Sequence, residues 1–99
     1  MATGQGTATL TFGTAASRDI YAEAVITGQA GIVGTSKCEA YFMADTTADH
    51  SADEHVLAAA MMDLVCGEVV AGTGFTIYAW AREKQGLVGS WSVRWVWAD

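Results

Sequence analysis

The chain has 99 residues, 52% hydrophobic and 16% charged, with a net charge of −6 and no proline. That length reads as one domain, 1–99, and five scattered basic residues form no stripe for nucleic-acid phosphates. No apolar run approaches the roughly 18 residues of a membrane-spanning helix, so no membrane contact is expected, and no secretory leader pattern opens the chain.

Residues 1–6 are small and polar and read as a short N-terminal arm. Residues 7–12 alternate, with Ala8, Leu10 and Phe12 on one face and Thr7, Thr9 and Thr11 on the other. That period of two is the mark of a half-buried strand. After a loop at 13–19, residues 20–27 repeat it, setting Ile20, Ala22, Ala24 and Ile26 against Tyr21, Glu23 and Val25. A turn at 28–31 and a short extended piece at Ile32 and Val33 lead to a third strand, 36–44. There Cys38, Ala40 and Phe42 oppose Lys37, Glu39, Tyr41 and Met43.

Residues 45–55 form a polar connector. Inside it, Ser51-Ala-Asp-Glu54 fits a helix capping box, and the good helix formers that follow favour a helix running from about 52 towards 65, closed by Gly67. Extended, the same stretch would add one or two strands. Residues 68–71 read as a strand running into Gly72-Thr-Gly74. The segments 72–81 and 89–98 alternate like the arms of a terminal hairpin and hold all four tryptophans. Trp91, Val93, Trp95 and Trp97 share one face, while Ser92, Arg94 and Val96 share the other. The expected fold is mainly β, a small antiparallel β-sandwich with at most one short helix at about 52–62.

Chemistry-bearing residues are sparse. His50, Asp53 and His55 could supply three ligands to a divalent metal, although their spacing matches no established zinc motif. The plainer alternative is a solvated turn whose polar side chains bond the local backbone. No serine or cysteine stands beside an evident base, so no enzyme and no cofactor are expected. Cys38 and Cys66 are too few for a disulfide framework and read as two buried thiols, with a single disulfide as the alternative.

The tryptophan face allows three readings: core, interface with a neighbouring chain, or platform for stacked sugar. Tyr78, Trp80, Trp91, Arg94, Trp95 and Trp97 are the candidate partner-interface residues. Tyr78, Trp80 and Arg94 point away from the main apolar faces of their strands, and Arg94 is expected to pair with a carboxylate or an aromatic ring. A surplus of apolar residues in so small a chain also suggests surface buried against other chains.

Four strings carry a resemblance: Val25-Ile-Thr-Gly-Gln-Ala-Gly-Ile, Thr47-Ala-Asp-His-Ser-Ala-Asp-Glu-His, Val70-Ala-Gly-Thr-Gly-Phe-Thr-Ile-Tyr and Gly89-Ser-Trp-Ser-Val-Arg-Trp-Val-Trp. Together they resemble small virion structural proteins of tailed bacteriophages and prophages, over about residues 10–97. The chain departs from them at Ala58-Ala-Ala-Met-Met, where those relatives look more strand-like.

The resemblance implies a virion component assembled in the host bacterial cytoplasm, a capsid decoration (cement) protein or a neck or tail appendage subunit. Its expected partners are further copies of itself, a trimer being favoured, and major capsid or tail proteins. The expected contacts lie on the 80–97 hairpin and the 45–55 loop. A lectin-like module of a tail tip, binding the host surface, is the alternative.

Overall fold

The structure is a computed structural model and describes residues 2–14, 19–82 and 86–99. Its elements in chain order are β1 (Thr3–Phe12), β2 (Tyr21–Ile26), β3 (Lys37–Tyr41), α1 (Ala52–Met61), β4 (Met62–Val70), β5 (Gly74–Ala81) and β6 (Gly89–Ala98). They form two three-stranded antiparallel sheets, ordered β1-β6-β3 and β2-β5-β4. β1 packs on β2 and β3 on β4, so the sheets stack in register as a small β-sandwich. The mainly β expectation with one short helix is met.

The core lies between the sheets. Leu10, Ile77, Met62, Phe75 and Val93 are fully buried there, each contributing about 1.5–3 kcal/mol of transfer free energy. Phe75 of β5 meets Trp95 of β6 edge to face, ring centroids 5.6 Å apart. That contact corrects the terminal hairpin: β5 and β6 belong to different sheets and oppose each other across the core. Two consecutive alternating segments fit either arrangement. Here both inner faces are large and apolar, and stacking buries both.

β1 starts at Thr3, so most of residues 1–6 is strand rather than arm. Gly4 pairs with Trp97 and Gly6 with Trp95. A Cβ on Gly4 would lie 2.3 Å from the Trp97 indole nitrogen, and one on Gly6 2.5 Å from Trp95 Cζ2. Both indoles thus lie flat over β1 where only glycine leaves room. Glycine lowers strand propensity and hid the strand locally, yet the cross-strand tryptophans require it.

The capping box forms in full: Glu54 N donates to Ser51 Oγ at 3.3 Å and Ser51 N to Glu54 Oε1 at 2.9 Å. The helix ends at Met61, not at Gly67, because Met62 turns extended and begins β4. From there Met62, Leu64 and Cys66 alternate inward, and burying them in strand register outweighs continued helix. Gly67 lies within β4, beside a bulge where Glu68 takes φ +51°. Ile32 is buried but sits in a turn rather than a strand, its carbonyl accepting from Gly72 N at 2.8 Å.

Candidate functional site

The histidine-rich string is a lock between α1 and β6. His55 is fully buried. Its Nε2 accepts the Ser92 backbone N–H at 2.9 Å, which leaves Nδ1 to carry the proton and donate to Ser51 O at 2.9 Å. The ring is therefore a neutral tautomer with both nitrogens satisfied. His50 stacks on Trp91 at 3.6 Å and bonds Val88 O through Nε2 at 2.8 Å and Glu54 Oε2 through Nδ1 at 2.9 Å. Both partners of His50 accept, so the His50–Glu54 ion pair belongs to the protonated ring.

Thr47 Oγ1 donates to Ser90 O at 2.7 Å, and Asp49 Oδ2 accepts Ser90 N at 2.8 Å. The Glu54 carboxyl is held at about 2, chiefly by its bond to His50 and then by the Ser51 backbone N–H.

These bonds correct the metal reading of His50, Asp53 and His55. All four ring nitrogens are spent on protein partners, and Asp53 is exposed in the first turn of α1. Among the described residues no three histidine, cysteine or carboxylate side chains are grouped to hold a metal ion.

The structure divides the six candidate interface residues. Trp91, Trp95 and Trp97 are 3%, 6% and 3% exposed, so they are core and do not face a partner. Trp97 Nε1 donates to Gln29 Oε1 at 2.9 Å, while the Trp91 and Trp95 indole N–H groups have no acceptor among the described residues. Arg94 lies on the outer face of the β1-β6-β3 sheet, paired with Asp45 through Nη2 at 2.8 Å and Nε at 3.1 Å. The pair holds the Asp45 carboxyl below its usual range, the hydrogen bond being the larger cause. Tyr78 and Trp80 lie on the outer face of the other sheet, so the six do not make one surface.

The structure adds Tyr21 to Tyr78 and Trp80. Across the β2-β5-β4 sheet the outward positions form rows: Tyr21, Trp80 and Asp63; then Glu23, Tyr78 and Val65; then Val25, Thr76 and Gly67. Trp80 is 42% exposed, Val25 65% and Val65 51%. The Tyr21 and Trp80 rings are 5.3 Å apart, and Tyr78 stacks beside Trp80 at 6.1 Å. Gly67 leaves open the space beside Tyr78, whose Cε2 would be 3.9 Å from a Cβ there.

Carboxylates border the rings. Tyr21 Oη donates to Glu23 Oε2 at 2.9 Å, and burial followed by that bond pushes the Tyr21 phenol up to about 12. The bulge at Glu68 brings its carboxylate to the Tyr78 hydroxyl, which is raised by that hydrogen bond first and burial second. Asp63 pairs with Arg82, Nε to Oδ1 at 3.0 Å. The face therefore offers three adjoining π surfaces, two valines and a rim of hydrogen-bond acceptors. Alternation placed Tyr21 opposite the core side of β2, but only the register with Trp80 shows it to be part of a patch.

No family model, curated protein or solved structure matches the chain.

Proposed function

We propose that this chain is a structural component of a tailed-phage virion, a capsid decoration or a neck or tail appendage subunit, that docks through the outer face of β2-β5-β4. The observation that carries the docking is the contiguous outward patch of exposed Tyr21 and Trp80 with half-buried Tyr78, flanked by exposed Val25 and Val65. Tyrosine and tryptophan bury large area at little entropic cost and dominate interface hot spots. The virion setting rests on the resemblance of the four strings named above.

The mechanism is geometric. Copies related by symmetry, a trimer being favoured, bury the patch against one another or against a major capsid or tail protein. Many such contacts stabilise a shell or tail by mass action, without catalysis. The net charge of −6 disfavours adhesion to the packaged genome. Virion assembly in the bacterial cytoplasm is part of the same reading.

Native mass by size-exclusion chromatography with light scattering tests the self-association. A trimer or other closed oligomer that Trp80→Ala dissociates is expected. A monomer, or an oligomer indifferent to Trp80→Ala, removes self-docking through this face.

Trp80, on the face that also carries the Tyr21–Glu23 and Tyr78–Glu68 pairs, also favours a second reading, a lectin-like module in which a sugar stacks on the indole and bonds neighbouring carboxylates. Tryptophan fluorescence that changes saturably with one host polysaccharide supports it. Unchanged fluorescence across a panel of them rules it out.

A further inference from the structure

Cys38 lies on β3 and Cys66 on β4, outer strands that pack on each other along one side of the sandwich. Both side chains point inward, packed against the core from opposite sheets. Both thiols are free, and they are near enough for each to perturb the other's titration. Neither is sealed off. Each is half-buried, and a shallow cleft of about 240 Å³ lined by Lys37, Glu39 and Trp97 opens beside Cys38.

We propose that Cys38 and Cys66 are a disulfide-forming pair whose oxidation by a small-molecule disulfide staples the two sheets together. The Cys38 thiolate attacks one sulfur of the reagent and expels one thiolate, leaving a mixed disulfide on Cys38. The Cys66 thiolate then attacks Cys38 Sγ and expels the second. One S–S bond forms and one breaks. Two electrons pass from the protein thiols to the reagent, and the two protons end on the released thiols.

Cys38 attacks first because burial, then Cys38 and Glu39, push the Cys66 thiol up to about 12. Burial also raises Cys38, so the uncatalysed exchange is slow and the pair persists as a dithiol under reducing conditions. The bond would close residues 38–66, which carry the polar lock and α1, into one covalent ring. Constraining that loop in the unfolded chain is where the stabilisation arises.

The test is to equilibrate the full chain with reduced and oxidised glutathione, natively and in urea, and to measure intact masses after acid quenching. The native chain loses two hydrogen atoms with an equilibrium constant roughly a hundredfold above that in urea. Its Tm rises by on the order of 10 °C on oxidation. Cys66→Ser yields only the glutathione adduct. A native constant equal to or below the urea value overturns the proposal, as does a native end product that is a glutathione adduct or a disulfide-linked dimer.

Discussion

His55, itself fully buried, accepts the backbone N–H of Ser92 through Nε2 at 2.9 Å. One hydrogen bond thereby ties α1, which connects the two sheets, to the central strand of the β1-β6-β3 sheet. His55→Ala leaves the Ser92 N–H buried without an acceptor and opens a cavity. Together these should lower stability by about 2–4 kcal/mol, read as a fall in the urea midpoint at unchanged m-value. A loss under 0.5 kcal/mol would mean that the lock is ornamental to folding.

Acid should loosen the same region. Glu54 titrates near 4.5 when unfolded and at about 2 in the folded chain. Its depressed value makes its contribution fully present above pH 4.5, and that contribution is lost as pH falls from 4.5 towards 2. Asp45 and Asp63, lowered by Arg94 and Arg82, act in the same direction from 3.8 downward. Glu54→Gln should flatten the acid limb of a Tm-against-pH curve between pH 5 and 2. An unchanged acid limb would detach Glu54 from it.

Gly6→Ala inserts a Cβ 2.5 Å from Trp95 Cζ2. Overpacking of this kind costs about 1–3 kcal/mol. The displaced indole should also weaken the near-ultraviolet circular dichroism of the aromatic core. Stability and spectrum both matching those of the parent chain would place Trp95 elsewhere.

Core and surface tryptophans should separate cleanly. Trp95→Ala is expected to cost about 3–5 kcal/mol, and Trp80→Ala well under 1 kcal/mol in the isolated chain. Urea unfolding of both variants checks the contrast, and similar losses in the two would contradict the inside–outside assignment.

Strand alternation and the capping box were legible from residue order, because both depend on neighbours two to four positions apart. The helix start at Ala52 and the outward placing of Tyr78, Trp80 and Arg94 follow directly. Pairing was not legible. Whether β5 meets β6 edge to edge or face to face depends on residues far apart in the chain, such as Phe75 against Trp95. Gly4 and Gly6 looked like an arm because the tryptophans that need them stand some ninety positions away. The histidines suggested metal because their actual partners, the Ser92 N–H and the Val88 carbonyl, are backbone groups that no side-chain pattern reveals.

The most direct measurement is sedimentation of the purified chain with virions of the corresponding phage assembled without it. The parent chain should cosediment saturably, and Trp80→Ala should weaken binding by about thirtyfold, as expected for an aromatic hot spot worth about 2 kcal/mol. A parent chain that stays in the supernatant, or a Trp80→Ala variant that binds as well as the parent, would contradict docking through the β2-β5-β4 face.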